Sequence, residues 1–402
     1  MKRTIATLLL LIFGAMLAAC AWRAETDPAA PPEKSVVRLA APYDNPQNTQ
    51  VLQQLVDRYN AQQEQVEAQL LLYAYPDYGQ TLQALATKGE QPELMLVDNA
   101  EIPALARQGT LAIIEVWLNT TGLMDQLDPD LLVSPDEGEA LYACPFLCWT
   151  YALYCNLHDI TGEECRQLTD WQAFLQTGQK YSGTGKSIFA IAAADTEELT
   201  YQFQELLLAE QSNLHTLRVA EDCRALEGLA ALVADGCLPQ ECLDWNQADL
   251  TRRFAQGALV TMLNRSTQAA YLRTLDPSFE WEMLPLPIGE GGGHVMGIQS
   301  IVVSAAAGQG AYDLLEWLMQ PQQAETVATQ LGSIAVRTDV QQQLADSTPA
   351  WQQELRYGGN FRSWSMMSRA IRTGVRDLLM EQKTAPAVLQ DMQYTIDRYY
   401  IW

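Results

Sequence analysis

The chain of 402 residues contains only three histidines and no Cys-x-x-Cys pair, so the usual ligand spacings of a zinc site are missing. Basic side chains are scarce: 25 Lys and Arg stand against 49 Asp and Glu, a formal net charge of −24. Such a body repels phosphate backbones and anionic lipid surfaces, which argues against nucleic acid as a partner. Beyond the first twenty residues no apolar run approaches the ~18 residues of a membrane span. A Gly-x-Ser-x-Gly elbow is absent. The glycine-rich stretch Ile288-Gly289-Glu290-Gly291-Gly292-Gly293 lacks the Lys-Ser/Thr of a phosphate loop and reads as a connector. No cofactor and no metal are expected.

At the N-terminus, Lys2 and Arg3 precede an apolar run from Leu8 to Leu17, too short for a permanent span, and the run ends in Leu17-Ala18-Ala19-Cys20. Residues 1–19 read as a signal peptide. Its end resembles the lipobox of bacterial lipoproteins, which implies diacylglycerol on Cys20 and a chain held to a membrane outside the cytoplasm. Ordinary cleavage after Ala19 is the alternative. Residues 20–35 are small and proline-rich, the composition of a semi-extended tether. The remainder is long enough for two domains.

Seven cysteines follow Cys20: Cys144, Cys148, Cys155, Cys165, Cys223, Cys237 and Cys242. In an oxidising compartment such clusters suggest disulfides. Cys155 and Cys165 flank a turn-like segment, and Cys237 and Cys242 flank Leu-Pro-Gln-Glu, so each pair is a candidate for closing a short loop. An odd number leaves at least one thiol free or bonded between molecules.

Along the body, short apolar β-prone runs alternate with helical periodicity. Val36–Pro42 is followed by a helix at 48–62, Val66–Tyr73 by one at 79–88, and Glu93–Val97 by one at 102–108. This alternation predicts α/β lobes with a largely parallel sheet, whose ligands bind at the carboxyl ends of the strands. Leu141–Tyr154 is β-like and aromatic, and a mainly helical region runs from Trp171 to Phe254. Further strands are expected at 258–263, 284–287 and 299–303, and the chain ends in helices at 310–319, 321–331, 364–380 and 387–399.

Several segments together resemble the large extracellular solute-binding protein family that includes maltose-binding protein and related sugar-binding lipoproteins. They are Tyr78–Leu85, Gly89, Gln91–Met95, Asp98, Leu105–Leu111, Tyr142–Pro145 with Leu153–Asn156, Leu168–Phe174, Phe254–Met262, Phe279–Pro287 and Gly332–Arg337, in the family's order. Two places depart from it. Asn264-Arg265-Ser266-Thr267 stands where an aromatic is common, and Gly297-Ile298-Gln299-Ser300 replaces a glycine-serine pair.

The resemblance implies a two-lobed periplasmic-binding-protein-like fold with discontinuous lobes, hinge strands and a central ligand cleft. Lobe one is assigned to 36–145 plus 297–352 and lobe two to 148–295 plus 355–402. It also implies a monomeric binding protein, not an enzyme, that captures a carbohydrate by hinge closure and delivers it to the transmembrane subunits of an ABC permease.

A sugar offers apolar C–H faces and hydroxyls that both donate and accept, so its receptor needs aromatic plates and planar polar side chains. Loop-end residues supply both: Tyr43, Asp44, Asp98, Asn99, Trp149, Tyr151, Trp245, Asn264, Arg265, Gln299 and Trp364. Asp98 equally fits a helix N-cap, and Arg265 an ion pair with an acidic neighbour. A cationic ligand such as a polyamine, a metal-ion complex, a sensory role and an anchored glycoside hydrolase with paired carboxylates are the competing readings.

Overall fold

The computed structural model describes residues 34–75, 78–132, 134, 140–289, 293–348, 355–357 and 364–399. The signal segment, Cys20, nearly all of the tether and residues 290–292 of the connector lie outside them. The described strands are β1 (Ser35–Tyr43), β2 (Val66–Ala74), β3 (Leu94–Asp98), β4 (Ala143–Trp149), β5 (Tyr151–Asn156), β6 (Thr261–Arg265), β7 (Trp281–Leu284), β8 (His294–Val303) and β9 (Leu355–Tyr357).

β1 is rich in Val, Leu and Ala and mostly buried, as a strand flanked on both sides requires. It pairs in parallel with β2 and β3, and β8 then returns antiparallel between β3 and β4, giving the order β2-β1-β3-β8-β4. The helix Pro46–Gln62 joins β1 to β2. Asn45 caps it by accepting from the Asn48 backbone N–H, Pro46 starts it, and Val51, Leu52, Leu55, Val56 and Tyr59 form its buried face.

A second, antiparallel sheet of order β6-β5-β7 forms the frame of the other lobe. Helices Gln247–Ala255 and Gln268–Thr274 pack on β6, and Trp364–Leu379 packs on Glu197–Ala209, Arg224–Ala234 and Ala385–Tyr399.

The two lobes are joined by crossing strands. β4 leaves the first sheet at Trp149, and after Thr150 alone the chain enters the second sheet as β5. β8 carries β9 beside its first residues, in parallel register His294↔Leu355. Helix Glu197–Ala209 locks that end of β8: the buried Glu205 carboxylate meets His294 Nδ1 at 2.7 Å and accepts from the Val295 N–H at 2.7 Å. Helix Gln268–Thr274 reaches across to pack on Pro46–Gln62 and Pro321–Leu331. The latter ends in Gly332 at φ +66°, where an added Cβ would also come within 3.2 Å of the Ser266 carbonyl.

Where the elements differ from expectation, proline and pairing explain it. The strand expected at 284–287 lies at Trp281–Leu284, because Pro285 and Pro287 cannot donate to a ladder. β8 starts at His294, five residues before the expected Gln299, since β4 and β9 both pair with its glycine-containing start. β6 lies at Thr261–Arg265, slightly beyond the expected 258–263. In β4 the register shifts between Pro145 and Leu147, a bulge at the missing donor.

Cys155 and Cys165 form a disulfide that ties the end of β5 to helix Gly162–Arg166. The other candidate pair is corrected: Cys237 and Cys242 are both free and buried. Their carbonyls accept from Phe189 and Ala193 N–H groups, at opposite ends of one segment, which holds the two thiols apart. Cys144, Cys148 and Cys223 are also free. No described helix is long and apolar enough to cross a membrane.

Candidate functional site

The carboxyl ends of the parallel strands point toward the second lobe, and each leaves a functional side chain there. Asp44 follows β1, Tyr75 follows β2, Asp98 ends β3, and Gln299 stands opposite Asp98 on β8. From the other lobe come Arg265 at the end of β6, Glu198 in the first turn of helix Glu197–Ala209, Gln247 at the start of Gln247–Ala255, and Gln268. Trp149 and Tyr151 stand on either side of Thr150, between the lobes.

Arg265 is the hub. Its guanidinium is only 3% exposed and lies 2.9 Å from Glu198 Oε1 and 3.9 Å from Asp44 Oδ1. Its Nε donates to Gln247 Oε1, and its Cζ sits 4.9 Å from the Trp149 ring centroid and 5.7 Å from that of Tyr75. Partners from both lobes thus converge on one cation. Gln268 adds a second link by donating to Asp44 Oδ1 at 3.3 Å. Gln247 donates to the Tyr151 hydroxyl at 2.8 Å, and that hydroxyl donates to the Glu198 carbonyl at 3.2 Å.

Acidic groups outnumber basic ones here. Burial pushes the Glu198 carboxyl up to about 7, with Arg265 opposing the shift. Burial, reinforced by Glu197 and Asp98, raises Glu101 to about 7 as well. Asp98 and Glu197 are raised by the same desolvation. Arg265 moves the other way from what burial alone would do: the surrounding Asp44, Tyr75 and Glu198 raise it further above its ordinary value.

Among the described residues, four buried polar atoms at this place have no hydrogen-bond partner: Asp98 Oδ1, Trp149 Nε1, Thr150 Oγ1 and Arg372 Nε. Asp98 Oδ2 accepts from the Tyr75 hydroxyl at 3.0 Å and the Gln299 amide on the facing strand also favours the carboxylate, while Oδ1 makes no hydrogen bond of full geometry among the described residues. The indole Nε1 of the fully buried Trp149 also lacks an acceptor. Unmade bonds of this kind cost stability, and a solute that both donates and accepts would satisfy them. Aromatic rings continue outward from Trp149: Tyr201 packs edge-on at 5.3 Å between centroids, and Trp364 lies 5.3 Å beyond Tyr201. A Cβ at residue 297 would overlap the Trp149 indole, so Gly297 is what admits the ring.

Of the residues named from sequence, Asp44, Asp98, Trp149, Tyr151, Arg265, Gln299 and Trp364 come together. Asp98 precedes a helical turn but makes no side-chain cap bond, which leaves its carboxylate to the cluster. Asn264 is fully buried; its amide donates to the Gln247 carbonyl and Thr251 Oγ1 and accepts from the Arg265 N–H, so it positions its neighbours. Asn99 Oδ1 accepts from Ser300 Oγ within the first lobe. Tyr43 is 47% exposed at the end of β1. Trp245 is a correction: it lines a separate groove of about 920 Å³ on the second lobe, with Arg253 over its ring at 5.5 Å. Its neighbour Gln247 is the residue that reaches the hub.

Sequence reasoning missed Tyr75, Glu198, Gln247 and Gln268. The one available signal was position: each sits within three residues of a strand end or helix start.

Comparison with known proteins adds the family. Residues 54–356 match the model described as bacterial extracellular solute-binding protein. Comparison with curated proteins gave no significant sequence match. Among solved structures, the maltose-bound MalE3 of T. maritima superposes with a TM-score of 0.78 at 16% identity, covering 90% of this chain and 99% of that one. A solute-binding protein of Thermotoga lettingae bound to α-D-tagatose reaches 0.79 at 14% identity, covering 91% and 100%. The maltose/maltodextrin-binding domain of Bdellovibrio bacteriovorus bound to maltotriose reaches 0.74 at 14%, covering 90% and 99%. The likeness extends over both lobes and the strands between them. With the family model spanning most of its length, the chain belongs to the bacterial extracellular solute-binding proteins.

Proposed function

We propose that the chain is the carbohydrate-capturing component of an ABC importer, which closes two lobes on its solute and hands it to the membrane-spanning permease subunits. The observation that carries this reading is the meeting of Asp44, Asp98 and Gln299 from one lobe with Arg265 and Glu198 from the other, around the Trp149 ring. Aromatic faces beside planar polar groups suit the C–H faces and hydroxyls of a sugar. The relatives bound to maltose, tagatose and maltotriose support the same ligand class.

In this reading the lobes are residues 36–145 with 297–352, and 148–295 with 355–402. Contacts made by both lobes exist only when they are closed, so the solute shifts the open–closed balance by its differential affinity, and the permease reads the closed surface. Cys20 carries the lipid that keeps the monomeric protein at the membrane, with the proline-rich residues after it as a tether.

A thermal-shift screen of the protein against mono- and oligosaccharides tests the function. A true ligand at about 100 times its dissociation constant adds about 2.7 kcal/mol to stability. A shift produced by a carbohydrate supports capture, and a panel that leaves the melting temperature unmoved overturns it. For the anchor, Cys20→Ala expressed in a lipoprotein-competent bacterium is expected to leave the membrane fraction; unchanged fractionation overturns lipidation.

A further inference from the structure

We propose, resting on the carbohydrate reading above, that the cleft is built for a sugar bearing a protonated amine, an amino sugar, in preference to a neutral one.

The first argument is charge. Among the described residues, Asp44, Asp98, Glu101, Glu197 and Glu198 surround the site, and the guanidiniums facing them are Arg265 and Arg372. Arg265 serves Glu198 at 2.9 Å and Asp44 at 3.9 Å, and Arg372 reaches Glu197 at 3.9 Å and Asp195 at 3.4 Å. Neither Asp98 nor Glu101 has a basic group within ion-pair distance among the described residues. Excess carboxylates in a place shielded from water either take up protons or await a cation. A neutral sugar would leave that imbalance as it is; an ammonium would remove part of it.

The second argument is two of the orphaned atoms. Asp98 Oδ1 needs a donor and Trp149 Nε1 needs an acceptor. The two are connected through Tyr75 and Arg265: the Tyr75 hydroxyl bonds Asp98 Oδ2, and the Arg265 guanidinium spans the Tyr75 and Trp149 rings. A polyamine with every nitrogen protonated only donates and cannot satisfy the indole. A plain sugar donates and accepts but brings no charge. An amino sugar does all three, its ammonium at Asp98 and a hydroxyl or ring oxygen at Trp149.

The test is isothermal titration calorimetry of the full chain in mild detergent. The probes are glucosamine, galactosamine and mannosamine with the β-1,4 glucosamine di- to tetramers, each beside its N-acetylated and its plain hydroxyl counterpart, and spermidine. The expected result is at least about tenfold tighter binding of an amine form than of both neutral counterparts. Proton release on binding, seen as a buffer-dependent heat, should accompany it. Asp98→Asn and Glu101→Gln, each checked for a cooperative melt, should both erode that preference. A neutral form binding as tightly as its amine overturns this inference and leaves carbohydrate capture standing. Binding of spermidine alone, or of no sugar at all, overturns both.

Discussion

The guanidinium of Arg265 lies 4.9 Å above the indole of Trp149, so the last residue of a strand in one lobe is stacked on the last residue of the strand that departs the other. Stacking and charge act together here: the same guanidinium neutralises Glu198 in a place that water does not reach. A buried pair of this kind adds little net stability, yet removing one member leaves the other uncompensated.

Replacing Arg265 by methionine therefore strands the Glu198 carboxylate. The expected cost is about 3–5 kcal/mol in urea denaturation at alkaline pH, where Glu198, which burial already raises to about 7 beside Arg265, is ionised in the unfolded chain and cannot be so in the fold without cost, with part of the loss recovered in the double variant Arg265→Met, Glu198→Gln. Independent additivity of the two changes would count against their coupling.

Trp149→Phe separates stability from binding. Phenylalanine keeps a ring under Arg265 and deletes the unpartnered Nε1–H. A buried donor without an acceptor costs about 1–3 kcal/mol, which offsets the packing lost with the smaller ring. The unliganded variant should melt within a few degrees of the parent, while its dissociation constant for the best carbohydrate rises about tenfold. A melt unchanged together with an affinity unchanged would take Trp149 out of the site.

The Cys155–Cys165 bond closes a short loop at the end of β5, with a sequence separation of 10. Cys165→Ser is expected to lower stability by about 2–4 kcal/mol. Non-reducing peptide mapping should find this pair linked and Cys237 and Cys242 alkylatable once the chain is unfolded. A 237–242 cross-link in the map would contradict the geometry.

The raised carboxyls give the stability a pH dependence of definite sign. Glu101 has an ordinary value of 4.5 and is pushed up to about 7 by burial and by its acidic neighbours. The folded state then holds a proton that the unfolded state releases, so this contribution is complete below 4.5 and is lost as pH rises through 7. Glu93 beside Arg38 and Asp339 beside Arg337 are lowered and act in the opposite sense, so the comparison has to be made between variants. Glu101→Gln should gain stability relative to the parent between pH 4.5 and 7.5, by denaturation at both pH values; a gap independent of pH would refute the assignment.

Much of the first lobe's sheet was readable from the chain because its strands are apolar runs, and one helix in each lobe starts at a legible cap. Asn45-Pro46 announces a helix whose buried residues fall at the expected spacing, and Asp170 caps helix Trp171–Gly178 by accepting from the Ala173 N–H. The crossing region was harder. β8 begins in a stretch with glycines at 293 and 297 that looks like a connector until its pairing with β4 and β9 is known.

The site was legible in kind and less so in direction. Trp245 and Gln247 are two residues apart, yet the tryptophan turns to the outer groove and the glutamine to Arg265. No periodicity distinguishes those alternatives in a loop. Glu198 reads from sequence as an ordinary acidic residue in the first turn of a helix, a place where carboxylates favour the helix dipole anyway. Only the approach of β6 from far along the chain makes it a partner for Arg265.

The single residue between β4 and β5 has a mechanical meaning. Thr150 is clamped: its carbonyl accepts from the Ser266 N–H at 2.7 Å, and its own N–H donates to Ser266 Oγ at 3.4 Å. Ser266 is the residue after Arg265. At this crossing one sheet is tied straight to the residue after Arg265, with no slack chain between. Arg265 is thus held beside the crossing itself, and in the proposed closure its position over Trp149 is expected to follow the angle between the lobes.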